Sequence, residues 1–386
     1  MIGLCINYYN KNFGGLLQAY ATVKKFEEMG VKCEIIRYKK KYTPLYIIKS
    51  IPRVLNGVLI REKKESFTKK IFLLIVKGFA ENERVRKHAF EEFLSEKFIN
   101  LSTIHVGYDK LCDGSEKYCA VVTCSDQLWS PSGLPTNFYN LMFVPDNIRK
   151  ISYASSFGVG QIPWYQKKRT ADFLKRIDYI SMRERRGSQI VKELINREVP
   201  TILDPVFMFD KQGWEKLIPT ERVIDEPYIF AYFLGKNSEH RKAVEKFAKQ
   251  IGYKIVTLRH LDQYIPEDES FGDFAPYDVG PDKFLNILRG ADYVCTDSFH
   301  GACFSIINKK NFVVFNRYSD SSRASKNSRI DTLCNTFDLD ERRYDSSENL
   351  LKKITEKICY DVVEEKLKIL KKEANLYLES ALEGVQ

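Results

Sequence analysis

The 386-residue sequence predicts an α/β protein made of two Rossmann-like, doubly wound units and a long C-terminal helix. Three observations predict it. Apolar runs alternate with stretches of helical periodicity along most of the chain. Several runs, "CAVVTC" (119–124) among them, are apolar throughout, as parallel strands covered on both faces require. The alternation also stops and restarts around a polar, proline-marked stretch, "DKQGWEKLIPTERVIDEP" (210–227), which reads as a linker. The length suits two domains, each with its own core, and 44% hydrophobic and 13% aromatic residues are enough to pack them.

"IGLCINYY" is the first strand. "GGLLQAYATVKKFEEMG" places Leu16, Leu17, Tyr20, Val23 and Phe26 on one helical face and stops at Gly30, and "KCEIIRY" completes a β-α-β unit. Residues of about 40–100 form a basic, partly amphipathic insertion. "KYCAVVTCSD", "RKISYASSFG", "IDYISMRERRGSQIVKELI" and "PTILDPVFMF" then resume the strand-then-helix order, which sets a first domain at 1–215. A second domain at 226–345 follows from "YIFAYFLG", a helix at 238–251, "KIVTLR", "PDKFLNILRGA", "YVCTDS", a helix from Gly301, and "FVVFNR". From 346 to 386 an apolar stripe with alternating charge predicts one long helix packed along the body. Two doubly wound units joined this way have the arrangement of GT-B-type enzymes, whose sheets bind ligands beyond the carboxyl ends of their strands.

Composition excludes several classes. The opening "MIGLCINYYN" lacks a basic leader, and "IFLLIV" (71–76), bracketed by lysines, is far short of the ~20 residues a spanning helix needs. Nine scattered cysteines, of which Cys5, Cys33, Cys119, Cys295 and Cys303 lie in apolar segments, predict free thiols in a cytoplasmic protein. Cys119 and Cys124 lack the spacing of a zinc site, and no metal is expected. The net charge of +10 is local, since residues 37–87 hold fifteen Lys/Arg against four Glu. No nucleic-acid module accompanies that charge.

Five constellations can carry chemistry. Asn12, Gly14 and Gly15 sit where the first strand meets the first helix, a place for an anion or simply a tight turn. Ser125 and Asp126 end a strand and either hold sugar hydroxyls or cap a helix. Of the arginines in "SMRERRG", Arg183 is nearest the strand end and is the candidate anion clamp; Arg185 and Arg186 read as a solvated first turn. His300, at a strand-to-helix turn beside Gly301, is expected to show an exposed ring to the cleft and to donate a proton. Ser328 and Arg329 supply either a second cation or surface charge.

Taken in order, "NFGGLLQAYA", "TCSDQLWSP", "ISYASSFG", "SMRERRG", "LDPVF" followed by Trp214, "TDSFHGACFSI" and "SRIDTL" resemble the polysaccharide pyruvyl transferase family over most of the chain. Cys124 stands where that family usually has glycine. The resemblance implies transfer of the pyruvyl group of phosphoenolpyruvate to a sugar, with no cofactor beyond that donor. It implies His300 and Arg183 as the catalytic pair, with Ser298, Phe299, Gly301, Ser328 and Arg329 on the donor side. The acceptor side takes Asn12, Gly14, Gly15, Gln18, Ser125 and Asp126. A lipid-linked acceptor would give the basic residues of 40–87 a membrane surface to meet; the alternative is a solvated basic hairpin packed on the domain. Two rival functions stand beside this one: a GT-B glycosyltransferase using a nucleotide sugar, and a non-catalytic glycan-binding or interaction protein.

Overall fold

The computed structural model describes residues 1–42, 57–133, 136–261, 263–318 and 327–385. Residues 43–56 of the basic insertion lie outside them. The first half runs β1 (Ile2–Cys5), α1 (Phe13–Glu28), β2 (Cys33–Lys39), α2 (Gly57–Ile75), α3 (Phe79–Lys97), β3 (Leu101–Val106), α4 (Tyr108–Ser115), β4 (Ala120–Cys124), β5 (Arg149–Ser155), α5 (Lys167–Lys175), β6 (Tyr179–Met182) and α6 (Arg185–Ile195). After α7 (Lys211–Leu217), the second half runs β7 (Tyr228–Tyr232), α8 (Ser238–Ile251), β8 (Lys254–Thr257), α9 (Pro281–Gly290), β9 (Tyr293–Thr296), α10 (Phe299–Ile307), β10 (Asn311–Val314) and α11 (Ser328–Phe337). The chain closes with α12 (Leu350–Thr355) and α13 (Tyr360–Leu382).

The two sheets are wholly parallel, ordered β3-β2-β1-β4-β5-β6 and β10-β9-β7-β8. These are two Rossmann-like domains in a GT-B arrangement. Strand order reverses between β1 and β4 in one sheet and between β7 and β9 in the other, and ligand crevices form at such switch points. The loops that leave those strands carry Asn12, Ser125, Asp126 and Ser298, and His300 follows in the first turn of α10.

A shared core holds the halves together. Phe13 of α1 stacks on Phe284 of α9 with centroids 4.8 Å apart and meets Phe90 of α3 at the same separation. Arg86 of α3 reaches the second domain, donating to the carbonyls of Tyr277 (2.8 Å) and Pro276 (2.9 Å). α13 returns to the first domain, where Tyr377 donates to the Ser152 carbonyl at 2.8 Å.

Four sequence expectations need correction. "PTILD" makes only an isolated bridge, Met182 to Thr201, before a short turn of 3-10 helix at Pro205–Met208. Part of the expected linker is α7, anchored by fully buried Trp214, whose indole N–H donates to the Val206 carbonyl at 2.8 Å. The single C-terminal helix is two, because the buried Arg342 guanidinium takes the carbonyls of Lys353 and Glu356 and so caps the end of α12. Cys119, expected inside, is exposed, with its thiol against the Val385 carbonyl.

Candidate functional site

Four chain segments meet around one carboxylate, Asp204. It caps the Pro205–Met208 turn, accepting from the Val206 N–H through Oδ1 at 3.1 Å. Its other oxygen, Oδ2, accepts from the Ser125 hydroxyl at 2.7 Å and from Arg183 Nη1 at 2.8 Å, and lies 3.6 Å from His300 Nε2, beyond hydrogen-bond reach. Burial alone would raise the pKa of this carboxyl. The His300 imidazole, the Arg183 charge and the Ser125 hydroxyl outweigh burial and hold it well below the usual carboxylate range.

Arg183 follows β6 directly, and its N–H continues the ladder to the Ser155 carbonyl at 3.1 Å. Its guanidinium lies 4.6 Å from the centroid of the Phe299 ring, and that of Arg329, one residue into α11, lies 5.6 Å from the same centroid. One aromatic ring therefore contacts two cations. Arg317, just past β10, is tied to Asp297 Oδ1 at 3.2 Å and to the Asp297 carbonyl at 2.9 Å. Among the described residues, Arg183 Nε and Nη2, Arg317 Nε, Arg329 Nε and His300 Nε2 are buried without a hydrogen-bond partner. Burial, with repulsion from Arg183 and Arg317 added, brings the Arg329 pKa down to about 10. Crowded cations with unspent donors favour an anion.

Glu184 completes the cluster, accepting from the Ser156 hydroxyl at 2.8 Å and standing 3.9 Å from Arg183 Nε. Burial pushes its pKa up against the pull of Arg183 and Ser156.

His300 opens α10 behind Ser298, whose hydroxyl accepts from the Gly301 N–H at 3.3 Å. The expected exposed ring is corrected here: His300 is only 6% exposed, and Arg183 4%. Each is buried among polar groups of the cluster. Gly14 explains how the ring is covered, since a Cβ there would stand 2.2 Å from the His300 Cβ and 2.5 Å from Nδ1. Only glycine lets α1 of the first domain lie against a histidine of the second. Gly301 is similarly confined, 2.7 Å separating its would-be Cβ from Thr296 Oγ1. Gly14→Ala is expected to overpack this contact and lose about 1–3 kcal/mol in urea unfolding; an unchanged midpoint would show that the two halves can part here without cost.

The remaining expected residues divide. Ser125 and Asp126 both take the left-handed backbone region (φ 46° and 51°), a strain non-glycine residues carry mainly where function needs it. Asp126 places its charge near Arg183 and Arg329. Asn12 caps α1 by accepting from the Gly15 N–H at 2.9 Å. Gln18, expected on the acceptor side, is buried; its amide donates to Thr22 Oγ1 at 2.9 Å, and that hydroxyl lies 3.3 Å from the thiol of Cys124, the last residue of β4. Ser328 begins α11, with its carbonyl accepting from Thr332. Arg185 is exposed and Arg186 pairs with Glu193 at 2.6 Å, as a solvated first turn requires. A cavity of about 430 Å³ adjoins the cluster, shares Arg183, Asp204, Phe299 and Arg329 with it, and is also lined by Ile369 and Leu370 of α13.

Sequence reasoning missed Asp204, Glu184 and Arg317 as site residues. The signals were the "LDP" within a quoted motif and an arginine closing the apolar run "FVVFNR".

A family model described as polysaccharide pyruvyl transferase matches residues 12–319. Solved structures resemble the chain at low identity. UDP-N-acetylglucosamine 2-epimerase from Rickettsia bellii aligns with TM-score 0.50 and 10% identity over 98% of this chain and 95% of its own, a likeness of fold alone. The glycosyltransferase SnogD from Streptomyces nogalater aligns with TM-score 0.42 and 9% identity over 98% and 96%. No curated protein sequence matches the chain.

Proposed function

Since the chain belongs to the polysaccharide pyruvyl transferase family, we propose that it moves the pyruvyl group of phosphoenolpyruvate onto a sugar of a cell-surface polysaccharide or its lipid-linked precursor. One observation carries the donor assignment: three guanidiniums, Arg183, Arg317 and Arg329, keep unpartnered N–H groups in the same cluster as the His300 imidazole. A donor with both a carboxylate and a phosphate would satisfy them, and arginine's fork suits either group.

In the proposed reaction His300 protonates the methylene carbon of the donor, and C2 becomes electron-poor. A sugar hydroxyl adds to C2 and returns a proton to the imidazole. A second hydroxyl of the same sugar then forms the second C–O bond, the C2–O bond to phosphate breaks, and the departing phosphate takes the last proton. Asp204 stands 3.6 Å from the imidazole Nε2; the arginines neutralise the donor and the leaving phosphate.

Incubation with phosphoenolpyruvate and a glycan acceptor should release inorganic phosphate. Release of a nucleoside diphosphate from a nucleotide sugar, with none of phosphate, would replace this reading by a glycosyltransferase. Donor binding can be checked without turnover. At a hundredfold excess over Kd, phosphoenolpyruvate should add about 2.7 kcal/mol of stability, read as a raised melting temperature. Arg329→Gln should reduce that rise strongly, and an equal rise in this variant would remove Arg329 from the donor site.

A further inference from the structure

The basic insertion has two readings in sequence, a membrane surface or a solvated hairpin, and the orientation of α2 separates them. One face of α2 is fastened to the protein. Lys69 pairs with Glu83 of α3 at 2.9 Å, the same Glu83 oxygen holds Lys11 at 3.2 Å beside the β1–α1 turn, and Phe72 packs on Tyr264 at 4.9 Å between ring centroids. The opposite face carries Ile60, Phe67, Ile71, Leu74 and Ile75, each between 41% and 86% exposed. Ile60, Phe67, Ile71 and Leu74 recur at the helical spacing of a single stripe. A solvated hairpin would place polar side chains there. Exposed Lys64 lies within this stripe, and exposed Lys70 and Lys77 belong to the same segment.

A second feature occupies the same edge of the first sheet. Trp164 is 82% exposed, and exposed Lys167, Lys168 and Arg169 follow it. Gln166 ties this turn to the loop after β4 through the Pro131 carbonyl at 3.1 Å. All strands of the sheet are parallel, so the β1–α1 turn that anchors α2 and the segments after β4 and β5 leave from one edge.

We propose that the exposed face of α2 and the Trp164 turn dock the first domain onto an anionic lipid surface, with α2 lying in the interface plane. No helix among the described residues is long and apolar enough to cross a membrane. Charge decides between lipid and a second copy of the chain. Protein interfaces exclude lysine from their apolar centres, whereas an interfacial helix combines apolar side chains with lysines that meet lipid phosphates and places tryptophan at headgroup level. The consequence for catalysis, that a lipid-linked acceptor enters the cleft directly from the membrane, rests on the transferase reading; the docking itself does not.

The test uses the full chain with vesicles of phosphatidylcholine, alone or with roughly 30% phosphatidylglycerol. Flotation is expected with the anionic vesicles and should weaken at high salt. Of the three tryptophans, Trp129 and Trp214 are fully buried, so a blue shift of emission on binding reports Trp164. Phe67→Ser combined with Leu74→Ser should lower partitioning at least roughly tenfold with the unfolding midpoint unchanged. No flotation at low salt overturns the proposal, as does a double variant that floats like the parent. An unshifted emission from vesicle-bound protein overturns the part given to Trp164. A dimer that the double variant dissolves would assign the face to a second copy and overturn the lipid assignment. Phosphate release with a soluble acceptor tests the transferase separately, because neither Phe67 nor Leu74 belongs to the arginine–histidine cluster.

Discussion

Asp204→Ala is expected to cost about 3–5 kcal/mol of unfolding free energy, the range for removing one partner of a buried ion pair. The carboxylate is fully buried, and its Oδ2 receives both the Ser125 hydroxyl and Arg183 Nη1. Without it the Arg183 guanidinium stays buried near Arg329, its nearest remaining acidic group being Glu184 at 3.9 Å. Urea unfolding measures the loss. Asp204→Asn keeps the shape and one acceptor and should fall between parent and Asp204→Ala. In the double variant Asp204→Ala, Arg183→Met the cation leaves with its partner, so the two losses should sum to more than the double variant shows. A single variant within about 0.5 kcal/mol of the parent would mean that this pair does not hold the segments together.

The same carboxyl sets an acid limit. Its folded pKa lies below the unfolded value of about 3.9, so its contribution is complete above that pH and is lost as pH falls through it toward the folded value. Glu184 has the opposite sign. Its folded pKa is raised, so the cost of its ionised form is present above its unfolded value of about 4.3 and disappears on protonation. Below about pH 4 the parent should therefore lose stability more steeply than Asp204→Asn, which lacks the carboxyl.

Parallel strands buried on both faces write themselves as continuous apolar runs, which is why β4, β7 and β9 were legible and β3 was not. β3, "LSTIHV", is an edge strand with exposed Thr103 and Ile104, and its mixed pattern resembles a loop. The site was legible where chemistry coincides with a strand end: Arg183 and His300 each follow a short apolar strand directly or within a turn. Asp204 was hidden because an aspartate before proline already has a local explanation as a cap. Nothing nearby in the chain announces that its second oxygen collects Ser125 and Arg183, 79 and 21 residues away. In sequence Gly14 reads as a turn or an anion contact, whereas the structure shows close packing against a residue of the other domain, a requirement that exists only once both domains are folded. The basic, apolar character of α2 was plain in composition. Which side faced outward was not, since that depends on Glu83 and Tyr264, contributed by two other segments.

His300→Gln is expected to lower kcat for phosphate release by roughly 10²–10⁴, the usual worth of a positioned general acid, with little change in KM for phosphoenolpyruvate. The split follows from the division of labour proposed at the cluster. The arginines hold the anionic donor in both the ground state and the transition state, whereas proton delivery to carbon belongs to the transition state alone. Arg183→Lys should behave in the opposite way, keeping a charge but losing the planar fork, so that KM rises more than kcat falls. Gly14→Ala gives an independent handle, because it leaves the imidazole in place chemically but forces it or α1 to move. Misplacement by about 1 Å can cost a hundredfold in rate, so this variant should lose activity well beyond its loss of stability. If His300→Gln retained parental kcat while Gly14→Ala lost it, the sensitive element would be the closure of the two domains, and the acid would have to be sought elsewhere in the cleft.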